Sequence, residues 1–466
     1  MRNRFLWQQT SCLIFTFASS MAAVRAHDGD HPHPVRKLAA AEAYAPGLAP
    51  DRIVLNIGDD PTTTANLTWR TSTEVREAWA EIAEGTHGPE LISRSTQLPA
   101  VSEALLTDLN TAHFHSVKIR NLKPGTCYSY RVGDGVNWSE WFQFRTASDN
   151  AQSFSFLYFG DAQNDILSMW SRVVREAYRE APKASFMIHA GDLINNAQSD
   201  GEWGEWFQAG SFLHASMFCV PVAGNHEQAK QPDGTPRLSH HWRPSFTLPE
   251  NGIADLPESC YHFEYGNVLF LCLNSNEKIK EQAAWMEKVL DGSHATWVIC
   301  TFHHPIFSTA KDRDNASLRE AWKPIFDRYR VDLVLQGHDH SYGRTALVGA
   351  EVPLTLGNVP TGLNRMDGQD GTVYVVSVSG PKMYNLQDQP VMRRSAEDTQ
   401  LFQVIHIDGN QLKFEARTAI GELYDGFLLT KDAQGHRSLK VSEGLMPERR
   451  REVNPKPLEV GGADAK

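Results

Sequence analysis

Five apolar runs in this chain, rich in β-branched and aromatic residues, each end in a short polar signature. That recurrence constrains the fold more than any other feature. SFSFLYFG precedes Asp161, SFMIHAG precedes Asp192, FCVPVAG precedes Asn225, TWVICTF precedes His303 and DLVLQG precedes His338. Runs that are apolar along nearly their whole length read as strands buried on both faces. Loops at the carboxyl ends of such strands are where open α/β sheets build their sites. Gly160, Gly191, Gly224 and Gly337 stand immediately before the polar residue, where a glycine lets the backbone turn sharply or approach an ion closely. The pattern therefore predicts that Asp161, Asp192, Asn225, His303, His338 and His340 converge from distant parts of the chain on one edge.

The side-chain types suit a hydrolytic pair of metal ions. Carboxylate and imidazole together fit Fe, Zn or Mn, and the motifs contain no cysteine for a soft thiolate site. A carboxylate has two oxygens and can bridge ions held about 3.5 to 4 Å apart; Asp192 is the candidate bridge. Singly, a GD or HHP at a strand end is an ordinary turn or helix cap, and a lone buried histidine is an ordinary hydrogen-bonding residue. The ordered set carries the argument.

Read in order, Gly160-Asp161, Gly191-Asp192, Gly224-Asn225-His226-Glu227, His303-His304-Pro305 and Gly337-His338-Asp339-His340, followed by Tyr342 and Arg344, resemble the motifs of the calcineurin-like metallophosphoesterases. Within that family they are similar to the purple acid phosphatase branch, over roughly residues 153 to 380. The resemblance implies Asp161, Asp192 and His340 on one metal, and Asp192, Asn225, His303 and His338 on the other. It places His226 and His304 outside the ligand set, as donors to phosphoryl oxygens or acids for the departing alkoxide. It also marks two departures. Asn195 stands where the branch has its colour-giving tyrosinate, so neither the purple colour nor a firmly held ferric ion is expected. Gln163 stands where phosphodiesterase relatives carry a histidine, and is read as a weak ligand, a water holder or the cap of a helix beginning near Asp165. Glu227 either orients His226 or caps a helix. Tyr342 and Arg344 are substrate-binding candidates or loop anchors.

A chain of 466 residues is too long for one typical core. Residues 49–147 carry short alternating strands, RIVLNIG, ANLTWRTS, EAWAEIAEG, FHSVKIRNL, CYSYRVG and EWFQFRT, which read as an antiparallel β-sandwich. The stretch NLKPGTCYSYRVGDGVNWSEWFQFRT, with Leu122, Pro124, Gly125, Tyr128, Tyr130 and Trp138, resembles the fibronectin type III-like domain that precedes purple acid phosphatase catalytic domains. The expected fold is thus an all-β sandwich followed, over residues 152–430, by an α/β (α+β) metallophosphoesterase domain of two packed sheets flanked by helices. TVYVVSVSG, LFQVIHID and QLKFEAR read as strands completing its second sheet. A solvated tail is expected over 431–466.

Arg2 and Arg4 precede the apolar stretch CLIFTFASSMAAV, and Val24-Arg25-Ala26 offers small residues before a cleavage point. Residues 1–26 read as a signal peptide, and 27–48 as a flexible His-, Pro- and Ala-rich linker whose start can scavenge metal weakly. No later segment is long enough to span a membrane, so a secreted or periplasmic protein is expected. Cleavage leaves Cys127, Cys219, Cys260, Cys272 and Cys300, an odd count with at least one free thiol. Cys219 and Cys300 read as buried thiols, while Cys260 and Cys272 flank a hairpin turning at Gly266-Asn267 and could meet across it. The formal net charge of −11 argues against nucleic acid as a partner and is compatible with a small phosphorylated substrate.

The expected activity is hydrolysis of phosphate monoesters, with a metal-activated hydroxide attacking phosphorus in line with the leaving group. A phosphodiesterase or nucleotide hydrolase on the same scaffold is the alternative, since the missing tyrosine removes the most phosphatase-specific mark. An inactive secreted binding protein is the reading from another class. The motifs name neither the leaving group, the native metals nor the oligomeric state.

Overall fold

The computed structural model describes residues 38–150, 152–350 and 370–451. The described residues from Ala40 onward form one unit. The predicted signal peptide lies outside the described residues. In the N-terminal part, the alternating runs form β1 (Asp51–Ile57), β2 (Ala65–Ser72), β3 (Trp79–Glu84), β4 (Thr96–Pro99), β5 (Val101–Leu106), β6 (Thr111–Ile119), β7 (Cys127–Gly133) and β8 (Phe142–Arg145). Next come β9 (Phe154–Phe159), β10 (Phe186–His189), β11 (Phe218–Pro221), β12 (Gln228–Lys230) and β13 (Pro236–Leu238). The second half supplies β14 (Tyr261–Tyr265), β15 (Val268–Cys272), β16 (Trp297–Thr301), β17 (Leu333–Gln336), β18 (Tyr342–Thr345), β19 (Val373–Val376) and β20 (Met392–Ala396). The last strands are β21 (Leu401–Asp408), β22 (Gln411–Thr418), β23 (Leu423–Lys431) and β24 (Arg437–Val441).

Two large sheets meet face to face. The first runs β24-β23-β22-β21-β9-β10-β11-β1-β2-β6-β5, and the second runs β14-β15-β16-β17-β19-β18-β20. Period two explains why the second sheet's central strands are apolar throughout. Val268, Phe270, Trp297, Ile299, Leu333, Leu335, Val373 and Val375 face the core between the sheets. Their neighbours Leu269, Leu271, Cys300, Val334 and Tyr374 face a second core, which is shared with the helices Ile279–Asp291 and Ala316–Arg328. Aromatic rings interlock the sheets: Phe270 of β15 lies 5.4 Å from Phe156 of β9 and 5.1 Å from Phe186 of β10. Burying each such ring contributes roughly 1.5–3 kcal/mol.

The N-terminal β domain forms as expected, with β4-β3-β7-β8 as its separate sheet. Its other sheet is not free-standing, because β1 pairs in parallel with β11 at Asn56 and Cys219. Arg52 on β1 also donates to both carboxylate oxygens of Asp200, at 2.6 and 2.9 Å, at the start of the helix Asp200–Gly210.

Several expectations need correction. β19 joins the second sheet, but LFQVIHID and QLKFEAR belong to the first, where β21 pairs antiparallel with β9. Both sheets offered an edge, and strand composition does not distinguish them. The stretch from residue 431 is not all solvated tail: Arg437 is buried and its guanidinium bonds Asp332, just before β17, at 2.5 Å, while β24 pairs with β23. The end of the 27–48 stretch is anchored as well, since Tyr44 O accepts from Arg70 at 3.1 Å. Cys260 and Cys272 are both free. The register pairs Tyr261 with Cys272, so Cys260 falls one residue off and points to the opposite face, into the second core instead of the first. Cys219 and Cys300 are buried free thiols, as expected.

Candidate metal centre

The parallel strands of both sheets direct their carboxyl ends to one place. Asp161, Asp192 and Asn225 follow the adjacent strands β9, β10 and β11 of the first sheet, and His303, His338 and His340 follow β16 and β17 of the second. All six are brought together. His303 Nε2 lies 3.2 Å from Asp192 Oδ2, 3.1 Å from Asn225 Oδ1 and 3.1 Å from His338 Nδ1. His340 Nε2 lies 3.7 Å from Asp161 Oδ1. Donor atoms of Asp161, Asp192 and His340 all fall within 4.8 Å of one another, and so do those of His303, His304 and His338.

Backbone strain and close approach build this geometry. Asp192, His338 and His340 have φ of 52°, 76° and 46°, left-handed values that cost non-glycine residues of order 1–3 kcal/mol each and cluster at functional sites. A Cβ on Gly224 would lie 2.2 Å from Asp192 Oδ1, and one on Gly337 would lie 2.6 Å from Asp161 Oδ2. Only hydrogen fits at either position.

The donor set fits metal ions. His303 Nδ1 donates to Ala190 O at 2.9 Å and His340 Nδ1 donates to Lys382 O at 3.0 Å. This is how metal-binding imidazoles are commonly oriented, leaving the Nε2 lone pair for the ion. With that tautomer, His303 Nε2 faces a carboxylate oxygen, an amide oxygen and another ring nitrogen. Such a set of acceptors repels itself unless a cation sits among them. Burial disfavours a charged His303, yet Asp192 holds its pKa up to about 9, which places a proton where a cation belongs. Burial likewise raises the Asp161 carboxyl well above its ordinary range. It would raise Asp192 too, but His303 carries that carboxyl below the usual values. Burial lowers His304 and His340 to about 3, so both imidazoles are neutral.

The surrounding residues take roles that the sequence left open or assigned otherwise. Glu227 accepts from Gly224 N at 2.7 Å, Asp192 N at 2.9 Å and Leu193 N at 2.8 Å. It caps the short turn Asn225–Glu227 and ties the Asp192 loop to it, without orienting the His226 ring. His226 N donates to Asp192 Oδ1 at 2.9 Å, and its Nδ1 donates to Asn195 O at 2.5 Å. Asn195 therefore supports His226 through its backbone, and no hydrogen bond links its amide to Asp161, Asp192 or His340. Gln163 does not cap the helix: its Nε2 contacts Asp192 Oδ2 at 2.9 Å and His340 Nε2 at 2.8 Å, while its buried Oε1 has no partner among the described residues. His304 shares Ser275, whose Oγ accepts from His304 N at 3.0 Å and lies 2.9 Å from its Nδ1. Tyr342 and Arg344 prove to be anchors, not substrate binders. Both are buried on β18 and hold Asp425 of β23, at 2.7 Å from Tyr342 Oη and 2.6 Å from Arg344 Nε.

Three residues beside the centre escaped the motif reading. Arg313 donates to His338 O at 3.0 Å, and its guanidinium lies 4.7 Å from the Tyr384 ring. The Tyr384 ring is 4.5 Å from that of His340 and 5.6 Å from the Lys382 ammonium. Two partly exposed cations thus flank the ligands, a field that favours anionic substrates. Lys382 and Tyr384 had a signal: β19's run TVYVVSVSG also ends in a glycine, Gly380, two residues before Lys382. Arg313, in an ordinary polar loop, had none.

Residues 154–342 match the calcineurin-like phosphoesterase family, and residues 50–146 match the purple acid phosphatase N-terminal domain. An uncharacterised protein of Mycobacterium tuberculosis is 30% identical over 317 residues, a match that spans 59% of this chain and 58% of that protein's length. Acid phosphatase type 7 of Homo sapiens is 26% identical over 333 residues, 64% of this chain and 72% of that one. The structure of purple acid phosphatase PPD1 from yellow lupin seeds shares the fold, with a TM-score of 0.68 at 18% identity over 83% of this chain and 75% of that one. Among the described residues no helix is long and apolar enough to cross a membrane. The chain belongs to the calcineurin-like metallophosphoesterases, in their purple acid phosphatase branch.

Proposed function

We propose that this chain is an exported phosphoesterase that hydrolyses phosphate monoesters at two metal ions drawn from Fe, Zn and Mn. Asp161, Asp192 and His340 hold one ion; Asp192, Asn225, His303 and His338 hold the other. The reading is carried by the acceptors gathered round His303 Nε2, with Asp192 Oδ2 at 3.2 Å and Asn225 Oδ1 at 3.1 Å. Family membership supports the reaction class. When bound, the ions act as Lewis acids on the phosphoryl oxygens and supply the activated water nucleophile.

The chain's own residues supply position and protons. His303 and His340, pinned through Nδ1 to backbone carbonyls, keep their lone pairs aimed at the centre. Ser275 Oγ accepts the His304 backbone N–H, so its own proton is available to His304 Nδ1. Nε2 of that ring then carries a proton to donate to a phosphoryl oxygen. His226, with Nδ1 already donating to Asn195 O and its side chain 27% exposed, carries any second proton on Nε2. That proton passes to the departing alkoxide as the new P–O bond forms and the ester P–O bond breaks.

The test is metal analysis of the mature protein alongside hydrolysis of a phosphomonoester and a phosphodiester, with Asp192→Asn as control. About two ions per chain, monoester preference and loss of both metal and activity in the control are expected. Preference for the diester moves the assignment to phosphodiesterase. Bound metal with no hydrolysis of either ester moves it to a binding protein.

A further inference from the structure

Beside the metal centre lies a cavity of about 490 Å³ whose composition the hydrolytic chemistry does not explain. Five carboxamides line it, from Asn195, Asn196, Gln198, Asn225 and Gln228, with His226 among them and Lys230 as its single charged side chain besides histidine. No carboxylate takes part, and its apolar lining residues are alanines. Asn225 and His226 belong to both the cavity and the metal centre, so the two adjoin.

The walls are held in place mostly by backbone bonds; of the amides, Asn196 Oδ1 accepts from Gln198 N at 3.2 Å and Asn225 Oδ1 belongs to the metal centre. The Asn195 and Asn196 backbone N–H groups donate to Glu202 Oε2 at 2.6 and 2.8 Å, which fastens the loop to the helix Asp200–Gly210. Ser239 donates to Ala197 O at 2.5 Å, and the opposite wall is the β12–β13 hairpin, paired from Gln228 with Leu238 to Lys230 with Pro236. Gln228 Nε2 is buried without a partner among the described residues. No hydrogen bond among the described residues engages the Asn195 amide, and Gln198 commits only its Oε1, to Ser239 at 3.1 Å. A buried, unmatched amide N–H costs about 1–3 kcal/mol, a cost that a ligand acceptor offsets once the Gln228 side chain turns its amide into the cavity.

A carboxamide both donates and accepts, as does a hydroxyl group. Several amides on one concave wall can therefore match a row of hydroxyls, each taking one bond and giving another. The same wall offers an aryl group little apolar area, and only Lys230 for a second anion. The volume falls within the range of small-molecule sites, roughly 300–1,000 Å³. Resting on the phosphomonoesterase reading above, we propose that this cavity is the leaving-group subsite and that it takes a hydroxyl-rich group, a sugar or polyol, whose phosphoryl end lies at the metals.

The experiment compares kcat/KM for glucose 6-phosphate and for phenyl phosphate in metal-loaded wild type, Gln228→Leu and Asn196→Ala, the last being an exposed rim position that folding tolerates. The expected result is a preference for glucose 6-phosphate in wild type. The ratio of the two constants should fall about fivefold to tenfold in Gln228→Leu, the loss of one hydrogen bond, and less in Asn196→Ala. A ratio unchanged in both variants, or a wild type that prefers phenyl phosphate, overturns the subsite. If wild type hydrolyses neither ester, the hydrolase reading fails separately. Calorimetric binding of glucose 6-phosphate then judges the cavity alone: weaker binding by Gln228→Leu supports it and equal binding overturns it.

Discussion

At the scale of single residues, His226 and Asp192 sit within one hydrogen bond of each other yet have separable tasks. His226 touches Asp192 through its backbone N–H, while its ring is held by Asn195 O. Removing the ring therefore leaves the carboxylate's support intact. His226→Ala is expected to lower kcat by about 10²–10⁴, the usual worth of a positioned acid, with metal content unchanged. Metal analysis beside steady-state kinetics checks this, and loss of metal in the variant would show that the ring belongs to the ligand set. The ligands were legible because each follows a buried run at a tight turn. Glu227, Tyr342 and Arg344 were not. Their partners, the Asp192 loop and Asp425, lie 33 to 83 residues away, and no local pattern names a partner at that distance.

At the scale of elements, the strands carrying the ligands were legible because apolar runs of that length, ended by glycine, leave few alternatives. Pairing and register were not. A shift of one residue between β14 and β15 decides which face Cys260 occupies, and the observed register sends it and Cys272 to opposite sides of the sheet. Thiol titration of the denatured mature protein is accordingly expected to find all five cysteines reduced. A count of three would mean that a disulfide forms after all. The expected leader is a sequence-level reading too. Arg2, Arg4 and the apolar stretch ending before His27 lead us to expect His27 at the N-terminus of exported protein, read by mass spectrometry. An intact Met1 would remove the argument for export.

At the scale of the whole molecule, the N-terminal β domain is joined to the α/β part by a shared sheet and by a buried charge cluster. Asp200 receives both nitrogens of Arg52, lies 3.4 Å from Arg70 Nη1 and 3.4 Å from His241 Nε2, and its side chain is fully buried. Asp200→Asn leaves the buried Arg52 guanidinium without its counter-charge, while Arg70 keeps Asp51 at 2.6 Å, and the loss is expected to cost about 3–5 kcal/mol. Burial alone would raise the Asp200 carboxyl, but His241 Nε2 at 3.4 Å and the bonds from Arg52 hold it well below the usual range. A carboxylate whose pKa is lower folded than unfolded contributes stability that is complete above its unfolded pKa, about 3.9. That contribution fades as pH falls below it. Thermal unfolding across pH should therefore show wild type well above Asp200→Asn at neutral pH, with the gap narrowing below about pH 4. A gap that stays constant with pH would mean that Asp200 acts through packing and not through its charge.

The sequence by itself determined the buried strands, the turns that end them and the identities of the side chains at those turns. Each depends on hydrophobic periodicity and on what glycine permits locally. Only the tertiary structure decided that β21 and β22 join the first sheet, that β24 closes its edge, and that Tyr342 and Arg344 grip Asp425. It also placed Asn195 beside His226 at the mouth of an amide-lined cavity instead of among the ligands. Those outcomes depend on which distant groups satisfy one another's hydrogen bonds and charges once the sheets have packed, and no stretch of chain carries that information alone.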